Sequence, residues 1–245
     1  MKWDAATYDT HHEFVSKYGE NLLDLLPQNS RQNILDLGCG TGTLTKQLAQ
    51  YGTVLGVDGS SQMIQQAKKN HPEIDFQVMD ALALPFDNDW NIIFSNAVFH
   101  WISDHETLLA QIYQSLTLKG ILICEFGAAG NIQIIEESFQ QAIQEAGYDY
   151  CSKFTFPKTE IFKQQLVAQG FSIEMIDDYD RPTPLSDGKA GLAIWGRQFF
   201  EAELAELLEH EQAIIIQRFT ELAKACWQQD HWVADYRRLR VVAHK

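Results

Sequence analysis

A glycine-rich turn that directly follows a short apolar stretch constrains the fold of this chain more than any other feature. Residues 34–42 read Ile-Leu-Asp-Leu-Gly-Cys-Gly-Thr-Gly, and residues 44–50 have the character of a helix. Glycine lets the backbone turn sharply and lets a ligand approach the main chain closely. The N-terminus of the helix that follows points its N–H groups at such a ligand. The segment therefore predicts a strand, a ligand-binding turn and a helix.

The spacing of the glycines separates the cofactors that such a turn binds. A dinucleotide-binding turn has the pattern GxGxxG, whose third glycine would fall where this chain has Thr43. A P-loop would require a Lys-Ser or Lys-Thr pair after the turn, and none is present. The sequence has GxGxG instead, preceded by the acidic residue Asp36.

Strand and helix signals alternate along the chain, which favours a parallel sheet built from βαβ units. We predict one domain over residues 1–245, with a doubly wound, mostly parallel, seven-stranded α/β sheet. The predicted strands are 33–37, 52–57, 75–79, 90–95, 120–125, 171–177 and 239–244. The predicted helices include 10–26, 62–70, 106–116, 132–146, 158–169, 199–208 and 212–227. About sixty residues separate the last two strands, too many for a plain connection, so we predict a helical cap over residues 178–237.

The charge of the chain argues against a polyanionic partner. Lys and Arg number 19 against 33 Asp and Glu, a formal net charge of −14. Nucleic acids and anionic membranes attract basic surfaces, so we expect a small-molecule partner and neither of those. The N-terminus has no apolar signal segment, and the four cysteines are scattered without a CxxC pair. We therefore expect a cytoplasmic protein with reduced thiols and no metal site.

Acidic residues follow the second and third predicted strands, as Asp58 and Asp80. Together with the glycine turn, in this order, they resemble the motifs of the class I S-adenosylmethionine-dependent methyltransferases. The resemblance implies that Asp58 accepts hydrogen bonds from both ribose hydroxyls of S-adenosyl-L-methionine, and that Asp80 and the N–H of Ala81 contact its adenine. It also implies a reversed last strand and the product S-adenosyl-L-homocysteine. The expected cofactor-binding residues are Tyr8, Asp36, Gly38, Cys39, Gly40, Thr41, Gly42, Asp58, Gly59, Met63, Asp80, Ala81, Leu82, Asn96 and Ala97.

Further segments are similar to the methyltransferases related to trans-aconitate methyltransferase. These segments are 3–8, 95–101, 125–127 with 130–131, and 235–240; at residues 128–129 the chain has Ala-Ala where that group often has glycine. In the resembling family the N-terminal segment, here 1–30, folds over the cofactor as a lid. Tyr8 would then cover the sulfonium with its ring, although simple helix packing is the alternative.

The substrate half of the site is predicted from residues near the expected rim of the sheet. His100 follows the fourth strand and is the candidate general base, with a structural histidine as the alternative. The expected substrate-binding residues are Trp101, Arg181, Trp195, Tyr236 and Arg237. Arginine offers a planar fork that matches a carboxylate. The alternatives are that Arg237 and the adjacent Arg238 form a solvated pair, and that Trp195 and Trp232 are core residues.

We predict methyl transfer from S-adenosyl-L-methionine to a small-molecule acceptor, through a carboxylate or another oxygen as in the trans-aconitate group. Three alternatives remain open. The acceptor could be a carrier-bound malonyl group or a quinone-type metabolite. The chain could bind the cofactor without catalysis. It could also be an NAD-dependent enzyme, which Thr43 disfavours.

Overall fold

The computed structural model describes residues 21–27 and 32–245. Tyr8, most of the predicted lid over residues 1–30 and most of the predicted helix 10–26 lie outside the described residues. Within residues 21–27, Leu22, Leu23 and Leu26 are buried. They belong to the same apolar cluster as residues of the first two strands and the first helix after the glycine turn.

The main sheet has seven strands in the order β3-β2-β1-β4-β5-β10-β6. These strands are β1 Gln32–Leu37, β2 Gly52–Asp58, β3 Asp75–Val78, β4 Trp90–Asn96, β5 Leu116–Gly127, β6 Ser172–Asp180 and β10 Arg237–His244. The pairs β1–β2, β1–β4, β2–β3 and β4–β5 are parallel. The predicted doubly wound, mostly parallel sheet is thus confirmed.

The last strand runs opposite to β5. Lys245 exchanges backbone hydrogen bonds with Lys119 and Gly120, near the start of β5. Near the end of β5, the guanidinium of Arg240 lies 2.7 Å from the carboxylate of Glu125. Because the end of one strand meets the start of the other, β10 is the reversed strand that the sequence resemblance implied.

The chain divides into two compact units. The first comprises Met1–Ala128, Phe154–Asp178 and Leu239–Lys245, and the second comprises Ala129–Lys153 and Tyr179–Arg238. Within residues 32–245, the helices of the first unit are α1 Thr43–Leu48, α2 Ser61–Asn70, α3 His105–Ser115 and α5 Thr159–Gln169. Ser60 caps α2, since its hydroxyl accepts from the N–H of Met63 at 3.3 Å.

The second unit is mainly helical and has an aromatic core. Its helices are α4 Gln133–Glu145, α6 Gly191–Phe199, α7 Glu201–Leu204 and α8 Glu209–Leu222. The rings of Phe139 and Phe200 stack with centroids 3.8 Å apart. Phe219 packs edge-on against both. These buried rings give α4 and α8 a common apolar interior.

Two features of the second unit differ from the prediction. A small sheet of strands β7 Thr183–Pro184, β8 Trp227–Gln228 and β9 His231–Ala234 was not predicted. The predicted helices 199–208 and 212–227 are also shorter: α6 ends at Phe199, α7 spans four residues, and α8 ends at Leu222. Two-residue strands are too short for a period-two pattern, so sequence periodicity does not reveal them.

Over the described ranges, no helix is long and apolar enough to span a membrane.

Candidate active site

A cavity of about 620 Å³ lies at the carboxyl ends of β1, β2, β3 and β4. In parallel α/β sheets, ligands bind at this edge. The structure brings ten of the predicted site residues to its wall: Gly38, Gly40, Asp58, Gly59, Met63, Asp80, Ala81, Asn96, Ala97 and Trp101. All ten lie in the first unit.

The wall also contains residues that the sequence analysis did not select. They are Leu37, Val57, Ser60, Val78, Met79, Val98 and Ile102. Most of them adjoin the predicted motifs at strand ends, so a motif-by-motif search could have found them by extending each motif by one or two residues. Val98 lies within the segment 95–101 that resembles the trans-aconitate group, and Ile102 directly follows that segment.

Five predicted cofactor residues lie outside the wall as the structure describes it: Asp36, Cys39, Thr41, Gly42 and Leu82. Three of them, Asp36, Gly42 and Leu82, have structural contacts instead. The hydroxyl of Thr45 donates to the buried carboxylate of Asp36 at 2.6 Å. An added Cβ at Gly42 would lie 2.7 Å from the ring of Phe76, so this glycine permits close packing of helix on strand. The N–H of Leu82 donates to Asp80 at 2.9 Å.

Asp58 connects the end of β2 to the glycine turn. The N–H of Gly40 donates to its Oδ2 at 3.1 Å, and the N–H of Ser60 donates to its Oδ1 at 2.8 Å. Burial raises the pKa of Asp58, while these two backbone hydrogen bonds oppose the rise. Because each carboxylate oxygen accepts from one N–H and has a second lone pair, the group can also accept from ligand hydroxyls.

Gly40 leaves room for a ligand at the turn itself. Its φ is +55°, and an added Cβ would meet no atom of the described residues within 4 Å. Gly38 differs, since a Cβ there would lie 2.2 Å from a methyl group of Val98. Gly38 therefore serves packing, whereas Gly40 exposes backbone to the cavity.

The turn after β4 is held in a strained conformation. Ala97 has φ +61°, a region that residues with a side chain rarely adopt. Its N–H donates to the carbonyl of Glu125 at 2.7 Å, which fixes the turn to β5. Backbone strain of this kind often accompanies binding sites, and Ala97 lies in the cavity wall.

His100 is buried next to this turn and is not among the wall residues that the structure describes. The N–H of Gly127 donates to its Nδ1 at 3.3 Å. The rings of Trp101, Phe154 and Phe156 lie within 6.4 Å of its centroid. Its role as a general base stays a prediction.

The remaining predicted substrate residues lie in the second unit. The indole N–H of Trp195 donates to the hydroxyl of Tyr236 at 2.8 Å, and both side chains are buried. Arg237 contacts the carboxylate of Asp180 at 2.6 Å. Arg238, which the sequence analysis did not select, is buried with its guanidinium 4.8 Å from the centre of the Tyr236 ring.

Comparison with known protein families matches the methyltransferase domain to residues 34–120, the segment that contains the glycine turn and both acidic motifs. The protein is an S-adenosylmethionine-dependent methyltransferase with the fold of the class I enzymes. Its fold, its motifs and its similarity to known methyltransferases agree on this point.

Three similar proteins span different shares of this methyltransferase. An uncharacterised methyltransferase of Schizosaccharomyces pombe is 28% identical over 99% of this chain and 98% of its own. A malonyl-[acyl-carrier protein] O-methyltransferase of Bacillus cereus is 30% identical over 58% of this chain and 56% of its own. A trans-aconitate 2-methyltransferase of Deinococcus radiodurans is 33% identical over 52% of this chain and 50% of its own. The last two matches thus span about half of each protein.

A solved structure shares the fold. Geranyl diphosphate C-methyltransferase of Streptomyces coelicolor A3(2), in complex with Mg²⁺, geranyl diphosphate and S-adenosyl-L-homocysteine, superposes with a TM-score of 0.59. It is 14% identical, and the match covers 95% of this chain and 81% of that one. The cofactor of the present chain is S-adenosyl-L-methionine. The cavity fits it, because two carboxylates end adjacent strands and Gly40 leaves its backbone open to a ligand.

Proposed function

We propose that this methyltransferase transfers the methyl group of S-adenosyl-L-methionine to a carboxylate oxygen of a small-molecule acid. The similar proteins named for trans-aconitate and for malonyl carrier protein support a carboxylic acid as the acceptor class. In the first unit, Asp58 and Asp80 would bind the ribose hydroxyls and the adenine amino group. The N–H groups of the glycine turn would contact the remainder of the cofactor.

The observation that carries the carboxylate assignment is the group of cationic and hydrogen-bonding side chains around Tyr236. Burial raises the pKa of Tyr236 and the negative charge of Asp235 adds to the rise, while the positive charges of Arg238 and Arg181 and the hydrogen bond from Trp195 oppose it. The backbone N–H of Arg181 also donates to the carbonyl of Tyr236 at 2.7 Å. Two guanidinium groups and a protonated phenol, against the single carboxylate of Asp235, suit an anionic ligand.

The two adjacent arginines differ in their surroundings. Arg237 is half-buried and forms its ion pair with Asp180, which balances its charge. Arg238 is 4% exposed and packs on the face of Tyr236. Arg238 therefore lies within the group around Tyr236, whereas Arg237 contacts Asp180, and we assign the substrate carboxylate to Arg238.

A carboxylate acceptor also simplifies the chemistry. S-adenosyl-L-methionine supplies an electrophilic methyl group on a sulfonium. Carboxylic acids have pKa values of about 4, so the acceptor oxygen is already a nucleophile at neutral pH and no residue has to remove a proton. The chain then contributes by binding, by in-line alignment and by excluding water.

Methyl-labelled S-adenosyl-L-methionine would test this function with trans-aconitate, malonyl carrier protein and a panel of metabolic acids and alcohols. We expect label that base treatment releases as a volatile alcohol, which identifies a methyl ester. Label that is stable to base would contradict the carboxylate assignment. No transfer to any acid, while an alcohol or amine accepts label, would contradict it as well.

The variant pair Arg238→Lys and Arg237→Lys tests the binding residue. For Arg238→Lys we expect the KM of the acid to rise about tenfold, since one charge-assisted hydrogen bond is lost. The kcat and the affinity for S-adenosyl-L-homocysteine should stay close to those of the parent. Arg237→Lys is the matched control and should change the KM little. A larger effect at Arg237 would assign the carboxylate to the other arginine.

A further inference from the structure

His100 joins three segments at the carboxyl edge of the first unit. It lies in the short helical turn Phe99–Trp101 that follows β4. Its side chain accepts from the N–H of Gly127 at the end of β5, and its carbonyl accepts from the N–H of Thr155 at 2.8 Å. These two bonds fix the turn to a neighbouring strand and to the segment 154–156.

The direction of the Gly127 hydrogen bond defines the tautomer of His100. A backbone N–H only donates, so Nδ1 is the acceptor and carries no proton. The ring proton is then on Nε2, and the imidazole is neutral. In this state Nε2 has no lone pair with which to take a proton, and Nδ1 would have to break its bond to Gly127.

Trp101, the next residue, lies in the wall of the cofactor cavity. Its ring packs against Phe154 with centroids 4.8 Å apart and against His100 at 5.3 Å. Phe154 stacks in turn on Phe156 at 5.4 Å. The ring of Trp101 is therefore supported by an aromatic layer that His100 connects to β5.

We propose that His100 is a positioning residue, which holds the indole of Trp101 against the cofactor cavity through its bonds to Gly127 and Thr155. It acts as a neutral hydrogen-bond acceptor and not as a general base. This inference rests on the cofactor cavity of the proposed function and is independent of the acceptor's identity.

A double-mutant cycle tests whether His100 acts through Trp101, with the affinity for S-adenosyl-L-homocysteine as the measurement. We expect His100→Ala to weaken binding about tenfold, the effect of losing one buried hydrogen bond and the order that it imposes. We expect the double variant His100→Ala/Trp101→Ala to bind no more weakly than Trp101→Ala alone. Additive losses would contradict a role through Trp101.

His100→Asn is the conservative variant, because its side-chain oxygen can replace Nδ1 as acceptor. We expect it to bind S-adenosyl-L-homocysteine within about twofold of the parent, since the hydrogen bond is kept. His105→Gln is the matched control. His105 is also buried, and its Nε2 bonds to the carbonyl of Phe99 at 2.9 Å, but it is not among the described wall residues. The control should alter stability more than affinity.

A spectroscopic measurement on the unaltered protein completes the test and does not depend on the folding of any variant. Nitrogen-15 NMR at pH 7 should show His100 with an unprotonated Nδ1 and a protonated Nε2. A protonated Nδ1, or an Asn variant that binds as weakly as the Ala variant, would overturn the proposal. If Asp58→Asn left cofactor affinity unchanged, the cofactor assignment would fail instead, so the two failures are distinguishable.

Discussion

The backbone N–H of Gly40 donates to Oδ2 of Asp58 at 3.1 Å, so one hydrogen bond connects the glycine turn after β1 to the carboxylate after β2. The two strands are parallel neighbours, and the pair Leu37–Val57 brings their ends side by side. Two motifs that are 18 residues apart in sequence thus form one wall of the cavity. Their effects on cofactor binding can be separated by substitution.

Asp58→Asn should weaken the binding of S-adenosyl-L-homocysteine by about thirtyfold, because the loss of charge weakens the hydrogen bonds that we propose to the ribose. The amide nitrogen would also face either Gly40 or Ser60, both of which donate to the native side chain. Titration calorimetry measures the affinity. Asp75→Asn, on an exposed residue at the start of β3, is the control and should bind like the parent. Equal affinities for both variants would refute the assignment.

Gly40→Ala should reduce cofactor affinity far more than it reduces stability. The left-handed backbone costs an alanine on the order of 1 kcal/mol, and the new methyl group would enter the cavity, where the described residues leave space. Gly147→Ala is the matched control, with φ +91° and likewise no described atom within 4 Å of an added Cβ, but outside the cavity wall. Both variants should lose similar stability in urea titrations. If Gly147→Ala lost as much affinity, a general loss of structure would be the explanation.

The sequence predicted the sheet well because its signals are local. Each of the strands β1, β2 and β4 has a run of buried, mostly apolar residues that ends in a polar or glycine-rich turn. The small sheet of the second unit was not predictable in this way. Thr183 pairs with Ala234 and Trp227 with Trp232, and such short pairings depend on tertiary context that no periodicity records.

The cofactor half of the site was predictable for a related reason. Asp58 and Asp80 each follow a strand end, and parallel pairing brings such ends to one edge. The substrate-binding residues were harder to predict from the sequence, because Arg237 and Arg238 are adjacent and equal in charge. Only the side-chain contacts distinguish them: one pairs with Asp180, and the other packs on Tyr236.

Asp36 should make stability depend on pH in an unusual direction. Burial raises its pKa from 3.8 to about 7, with the Thr45 hydrogen bond opposing and the Asp58 charge adding to the rise. Since the folded-state pKa exceeds the unfolded value, the folded protein binds the extra proton. The contribution of Asp36 to the free energy of unfolding is therefore lost as the pH rises from about 4 to 7. Asp36→Asn removes the dependence, because an amide keeps an acceptor for Thr45 without a buried charge.

Urea denaturation at pH 5 and pH 8 measures this effect. The Asn variant should exceed the parent in unfolding free energy at pH 8 by up to about 4 kcal/mol, with a smaller difference at pH 5. Asp75→Asn, which is exposed, should follow the parent at both pH values. If the unfolding free energy of the parent rose relative to that of Asp36→Asn between pH 5 and pH 8, the pKa of Asp36 would be lowered by folding. That result would contradict the prediction.

Ala97→Gly should raise stability or leave it unchanged, although alanine-to-glycine changes usually lower it. The native φ of +61° strains an alanine and not a glycine. Relief of about 1 kcal/mol of strain should offset the larger backbone entropy that glycine gives the unfolded chain. Ala81→Gly is the matched control, since Ala81 lies in the same wall and is not among the residues with positive φ. It should lose roughly 0.5–1 kcal/mol. Equal losses at both positions in urea titrations would mean that the turn after β4 stores no strain, and that the bond from Ala97 to Glu125 holds a relaxed backbone.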